Sequence, residues 1–190
     1  MNCRALVVAL GILGPLCVAS PLAAQEKATE LTAGILGLGY TTCNGCDGVF
    51  ELATGGANNG IFTGFGGGTV ALGVYLSPEA AIEPTIAASI LSSSGETVTI
   101  LSLGVAVPYY FDKGWGRKGG YVAPRVAVNL LSGGGQSSNQ FAIGVGVGTK
   151  LPLNEAAALR LQANFDYGFE GDFSATTSFG AFFGLSVFLK

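Results

Sequence analysis

Apolar and polar residues alternate without a break over residues 157–170. Ala157, Leu159, Leu161, Ala163, Phe165, Tyr167 and Phe169 form one row; Ala158, Arg160, Gln162, Asn164, Asp166, Gly168 and Glu170 form the other. Successive side chains of a strand point to opposite faces, so this is a strand whose two faces meet different media. The same period recurs upstream and downstream. In 139–151, Phe141, Ile143, Val145, Val147, Thr149 and Leu151 oppose Gln140, Ala142, Gly144, Gly146, Gly148 and Lys150. In 120–131, Val122, Pro124, Val126, Val128 and Leu130 oppose Arg125, Ala127 and Asn129, and in 79–91, Ile82, Pro84, Ile86, Ala88 and Ile90 oppose Glu83, Thr85, Ala87 and Ser89. In 175–189 the apolar row runs from Thr177 to Leu189, with Phe182 and Phe188 as exceptions on the other face. Turn-forming clusters such as Ser92–Gly95, Asp112–Gly119 and Ser132–Gly135 separate these runs. Eight extended segments result: 29–42, 60–76, 79–91, 96–111, 120–131, 139–151, 156–169 and 175–189. Neither a linker nor a second domain interrupts them.

Most of these segments are 12–16 residues long, whereas strands of soluble proteins average about five or six. A tilted strand that crosses a bilayer needs about 9–11 residues plus overhang. One row is large and greasy; the other is Gly, Ala, Ser and Thr with occasional charges, too uncharged for a water-facing surface. It suits the cramped lumen of an eight-stranded barrel. The expected fold is therefore all-β, an eight-stranded antiparallel up-and-down transmembrane β-barrel with its apolar row toward lipid. Pro84 and Pro124 should mark bulges or strand ends, and Gly37-Leu38-Gly39 a bulge. Gly64–Gly68 superficially matches a phosphate loop, but no helix or Lys-Ser/Thr follows, so it reads as tightly packed or bulged strand.

Composition agrees. Only 11% of the residues are charged, against about a quarter in ordinary soluble domains, and the mean hydropathy is +0.52. Part of this lies in residues 1–24, where Arg4, an apolar stretch and Ala23-Ala24 read as a cleaved signal peptide. The competing reading is an N-terminal membrane anchor. The barrel domain is then 25–190, and its formal charge moves from −3 to about −4 on loss of Arg4. That balance gives no reason to expect nucleic acid. Past the leader there is no apolar run of about 18 residues, so only a closed barrel could span a membrane.

Glu83, Arg125, Lys150, Arg160 and Asp166 all fall on the non-greasy row. Charges in a narrow lumen must pair, so a closed network is expected, with Glu83–Arg125 or Arg160–Asp166 among its pairs; the other use of such charges is to line an ion path. Cys43 and Cys46 remain after the leader. With no second CxxC and no histidine, a complete metal site within one chain is not expected. An exported compartment favours a small disulfide. No cofactor is expected, and no serine sits in a G-x-S-x-G elbow.

Eight alternating strands behind a signal peptide resemble the small outer-membrane barrels of the OmpA/OmpX-like and opacity-type surface protein group, over residues 28–190. Ser178-Phe179-Gly180-Ala181-Phe182-Phe183-Gly184-Leu185 is similar to their C-terminal assembly signal, although the chain ends Phe188-Leu189-Lys190 without the usual terminal aromatic. The resemblance implies the outer membrane of a Gram-negative bacterium, lipid as surroundings, insertion by the barrel-assembly machinery, and both termini in the periplasm. The outward connections are then 43–59, 92–95, 132–138 and 170–174. With their rims they carry Asp47, Glu51, Glu96, Glu170 and Asp172 and no basic residue, a candidate contact surface for an extracellular ligand. The periplasmic turn 112–119 carries Lys113, Arg117 and Lys118, and Trp115 with Tyr109, Tyr110 and Tyr121 could form an aromatic girdle. Enzymes of similar shape that act on lipid or peptide use histidine, and this chain has none. The expected role is thus non-enzymatic, structural or surface-interactive. The alternatives are a narrow pore, for which Gly144, Gly146 and Gly148 would leave room, and a soluble lipocalin-like carrier.

Overall fold

The computed structural model describes residues 29–43, 48–54, 68–93, 96–133, 136–171 and 174–189; the expected leader, 1–24, lies outside them. Ten strands are present: β1 (Thr29–Cys43), β2 (Val49–Thr54), β3 (Gly68–Ser77), β4 (Ala80–Ser93), β5 (Glu96–Ala106), β6 (Tyr109–Tyr110), β7 (Gly119–Gly133), β8 (Gln136–Pro152), β9 (Ala157–Gly168) and β10 (Thr176–Leu189). Every pairing is antiparallel, and β10 pairs with β1 from Thr29 to Cys43, which closes the sheet. The ten strands make eight staves. β5 and β6 lie on one stave, because both pair with β4 and β7 in a register that does not slip between them. β2 and β3 also share a stave, β3 running beside Thr29–Ala33 and β2 beside Leu36–Thr41. Residues 49–54 are therefore strand where a loop over 43–59 was expected. Of the strand expected over 60–76, the part before Gly68 lies outside the described residues. One end of the barrel, the terminal end, holds Thr29, Leu189 and the connections after β3, β6 and β8; the far end holds the hairpins after β1, β4, β7 and β9.

Strand β9 shows which face meets which medium. Arg160, Gln162, Asn164 and Asp166 are buried in the interior, and Leu161, Phe165 and Tyr167 are exposed on the outside. The outer row is apolar around the described wall, for example Leu31, Val70, Ile86, Val126, Ile143 and Phe179. A soluble barrel would bury these side chains. An outward apolar band over a polar interior is the arrangement of a barrel in lipid.

Strand β1 carries one bulge, two residues before the expected Gly37–Gly39. Its register against β10 shifts between Gly34 and Leu36. The extra residue lets neighbours Ile35 and Leu36 both face outward, at 47% and 40% exposure. Below it the odd residues Leu31 and Ala33 point out; above it the even residues Leu38 and Tyr40 do. The prolines mark neither bulges nor strand ends. At Pro84 the β3–β4 ladder skips Leu72 and Gly73 but resumes in the same register, from Ala71↔Thr85 to Val74↔Ile82. Pro124 stands opposite the break between β5 and β6, where its carbonyl accepts the Val107 N–H at 2.9 Å. Pro108 lies in that break, and its carbonyl accepts from the Ala81 N–H at 3.1 Å. A proline removes one ladder donor; the neighbouring rungs hold the register.

The luminal glycines of β8 do not leave an open channel. Gly144, Gly146 and Gly148 stand directly beside Asp166, Asn164 and Gln162 of β9; the Asp166 side chain lies across Gly144, those of Asn164 and Gln162 across Gly146, and the Tyr121 ring of β7 across Gly148. A Cβ at Gly146 would fall 2.5 Å from Gln162 Nε2 and 2.9 Å from Asn164 Oδ1. At Gly144 it would overlap the Asp166 carboxylate and approach the Phe165 carbonyl to 2.7 Å. Gly144→Val is expected to lower stability by at least about 1–3 kcal/mol, the range for overpacking. Urea unfolding of the refolded protein in micelles measures this; an unchanged midpoint would show that the side chains do not lie over β8.

Candidate functional site

The candidate site is the lumen itself, in three charged layers. The layer nearest the terminal end joins Glu30 of β1, Tyr75 of β3, Tyr110 of β6 and Lys150 of β8. Lys150 Nζ donates to both Glu30 oxygens (2.6 Å to Oε1), to Tyr110 Oη at 2.7 Å and to Tyr75 Oη at 3.2 Å. The Tyr75 hydroxyl donates in turn to Glu30 Oε2. Three N–H groups thus serve four oxygens. The ammonium also lies 4.7 Å from the centre of the Tyr110 ring and 5.8 Å from that of Phe188. Both charged side chains are completely buried.

The second layer is built on Arg160 of β9. Its Nη1 donates to Glu83 Oε1 and Oε2 at 3.1 and 2.9 Å, across the lumen from β9 to β4. Its Nε reaches Tyr121 Oη at 2.7 Å and its Nη2 reaches Gln162 Oε1 at 2.8 Å. The third layer is a bidentate pair, Arg125 to Asp166, with Nε 2.6 Å from Oδ1 and Nη2 bonded to Oδ2. Beyond it, toward the far end, the hydrogen-bonded luminal groups among the described residues are uncharged. Ser102 Oγ donates to Asn129 Oδ1 at 2.6 Å, and the hydroxyls of Thr41 and Ser178 are 2.9 Å apart.

All five charges singled out from the sequence lie inside, but with different partners from those expected. Glu83 pairs with Arg160, and Arg125 with Asp166. Register explains the second choice. Arg125, Gly144 and Asp166 are direct neighbours across β7, β8 and β9, so the two long side chains meet over a residue that has none. The partner of Lys150 is Glu30, which the sequence reading missed. Its signal is parity, because Glu30 and Thr32 alternate with outward Leu31 and Ala33.

The expected girdle is also redistributed. Tyr110 and Tyr121 are direct partners on the inward row and are fully buried. Trp115 packs edge-on against Tyr75 with centroids 6.4 Å apart. Only Tyr109 of the expected set faces outward, next to exposed Phe111. Outward aromatics gather instead toward the far end, where Phe165 and Phe179 lie 4.9 Å apart and Phe141 and Phe169 stack at 5.7 Å.

A cavity of about 30 Å³ lies between the arginine layers, lined by Thr32, Glu83, Thr85, Arg125, Arg160 and Phe182. It has room for about two water molecules. At the far end, Glu170 is exposed after β9, Glu51 lies within β2 and Glu96 begins β5. Asp47, Asp172 and Cys46 lie outside the described residues. Cys43, the last residue of β1, is disulfide-bonded.

Removing one partner of a buried pair leaves the other charge stranded, at about 3–5 kcal/mol. Lys150→Met is expected to cost that much, and Glu30→Gln added to it should restore more than half. Urea midpoints of the single and double variants decide; a double variant less stable than Lys150→Met alone would mean that the pair is not the partnership described.

No protein-family model matches the chain, and no curated protein does. Solved structures do. Neisserial surface protein A is similar over 87% of this chain and 99% of its own, at 13% identity and a TM-score of 0.61. The outer membrane protein OprG from Pseudomonas aeruginosa is similar over 86% and 96%, at 8% identity and a TM-score of 0.52. At such identities the likeness is one of fold, and the fold is the closed eight-stranded antiparallel barrel of small outer-membrane proteins.

Proposed function

We propose that this chain is an integral, non-enzymatic barrel of the Gram-negative outer membrane whose role is structural or surface-interactive, exercised at its far end. One observation carries the reading: the barrel is apolar outside and charged inside, with three cations and three carboxylates paired off in the lumen. The outer wall supports lipid as its medium. The filled lumen weighs against a standing pore, since the side chains of Asp166, Asn164 and Gln162 of β9 and Tyr121 of β7 occupy the space above the β8 glycines. The polar interior weighs against a lipocalin-like carrier, whose cavity would be apolar. Contacts then fall to the far-end connections, where Asp47, Glu51, Glu96, Glu170 and Asp172 are unaccompanied by any base in those segments. A disulfide from Cys43 to Cys46 would staple the first of these. Insertion by the barrel-assembly machinery follows from the same reading.

The test places single cysteines by Leu161→Cys and Gln162→Cys in a background without Cys43 and Cys46. Each protein is refolded into vesicles and treated with an environment-sensitive thiol dye. Leu161→Cys should label and be strongly quenched by a lipid-borne quencher, while Gln162→Cys stays unlabelled. Planar bilayers should show no conductance steps. Labelling at 162 with water-like emission, or steady openings, would restore the pore; no quenching at 161 would remove the membrane reading.

A further inference from the structure

We propose that residues 111–118 form a strap that seals the terminal end of the barrel and that can lift without unfolding the wall. This rests on the lumen being the closed interior of a membrane barrel, as read above. The connection starts on the stave of β6 and ends on β7, yet it reaches across the barrel's mouth. The Trp115 N–H donates to the Pro78 carbonyl in the β3–β4 turn at 3.1 Å. The Trp115 ring meets Tyr75 of β3. The Arg117 guanidinium lies 5.8 Å from the ring of Phe188 on β10, on the opposite side of the mouth. Between them Gly116 is buried against the Tyr75 hydroxyl and the Tyr110 ring, so close that a Cβ would overlap the hydroxyl. Directly beneath lies the fully buried Lys150–Glu30 pair. The connection after β8 does nothing comparable, for residues 153–156 are all exposed.

The strap is held differently from the wall it covers. A wall residue sits in a ladder shared with two neighbours; the strap has a bond at its foot from the Phe111 N–H to Gly120 O at 3.0 Å, the Trp115 bond to Pro78, an internal bond from the Arg117 N–H to Gly114 O at 3.2 Å, and ring contacts. Its ion pairs, Lys113–Glu79 at 3.4 Å and Lys118–Asp112 at 3.7 Å, are largely in solvent, where such pairs contribute little. Two consecutive residues, Trp115 at φ 55° and Gly116 at φ 62°, hold the left-handed conformation. That conformation is unfavourable for a bulky residue and persists only while its surroundings enforce it. Few bonds and local strain together make a segment that opens at lower cost than the sheet. Opening brings the Lys150 ammonium, the Glu30 carboxylate and two tyrosine hydroxyls into water at the terminal end. The strap is the movable part of the plug, and the ion pairs are the fixed part.

Trp115 is the chain's single tryptophan, so its fluorescence reports the strap alone. In the full chain refolded into micelles, its emission should be blue-shifted and shielded from acrylamide. With rising urea it should shift to the red before far-UV circular dichroism reports loss of the wall. Coincident transitions, or an indole already quenched as if free, would overturn the proposal. Gly116→Val cannot fit beneath Tyr75 or readily hold φ 62°. It should free Trp115 and raise acetylation of Lys150 by acetic anhydride, which transfers its acetyl group to the amine and releases acetate, about tenfold, read by mass spectrometry, with the dichroism unchanged. An exposed Trp115 over a still-protected Lys150 would show that the strap is not the seal. Should Gly116→Val fail to refold, Trp115→Gly relaxes the backbone and removes the ring. Lys150 acetylation must then rise, and if it does not the proposal fails. The order of transitions and the acetylation test the strap, while the lipid quenching at Leu161→Cys tests the membrane reading separately.

Discussion

A wall in hydrocarbon must satisfy every backbone N–H and C=O within itself, because lipid offers no partner. The rest of the structure follows from that constraint. The sheet has to close, and it does so along the whole length of β1, from Thr29↔Leu189 to Cys43↔Thr176. Closure fixes eight staves and a narrow interior. Irregularities are admitted only where another group repairs them. The bulge at Ile35 is absorbed within the β1–β10 ladder. The break at Pro108 is bridged by bonds from the Ala81 N–H to the Pro108 carbonyl and from the Val107 N–H to the Pro124 carbonyl. The break leaves the register unchanged, and the bulge shifts it by one residue, which moves the outward row of β1 from odd to even positions and keeps apolar side chains facing out.

A narrow lumen then dictates what can fill it. Side chains from adjacent staves compete for one space, and β8 yields it by presenting glycines where β9 presents Asp166, Asn164 and Gln162. Those glycines do steric work, setting the depth at which Arg125 and Asp166 meet. Buried ion pairs are weak evidence for stability, since desolvation offsets most of their attraction. Their geometric consequence is firmer. Glu30–Lys150, Glu83–Arg160 and Arg125–Asp166 tie together staves that share no ladder, so a slip of one strand would strand a charge. Pairing of this kind penalises wrong registers, which sheet hydrogen bonds alone tolerate.

How much of this was legible in the sequence depended on whether local parity or long-range neighbourhood decided the matter. The strands were legible because each of their faces has its own composition; residues 157–169 need no alignment to be read. Parity would also have given the bulge, since the apolar row switches from odd to even between Ile35 and Leu36, and it would have placed Glu30 inside. Tyr109 and Tyr110 are adjacent in a strand and cannot both belong to a girdle, so aromatic content was the wrong guide there. The partners of the charges were not legible. Which cation meets which carboxylate depends on the stagger between staves two to four positions apart, and on glycines that let one side chain lie over another. The split stave of β2 and β3 was hidden as well, because Val49–Thr54 is too short to display a period.

The two ends of the barrel differ in what holds them, and the difference bears on function. At the terminal end a tyrosine–lysine–glutamate layer, roofed by Trp115 and Gly116, excludes water. Toward the far end the hydrogen-bonded luminal groups among the described residues are neutral hydroxyls and amides, and the charged residues of the connections are acids alone. Every basic side chain of the described residues lies in the lumen or at the terminal end, which gives the barrel a lengthwise charge polarity. A barrel that meets a partner at its far end, as proposed above, would arrive at this distribution: luminal charges sequestered in pairs, acids without bases in the far connections, and a connection folded over the mouth at the terminal end.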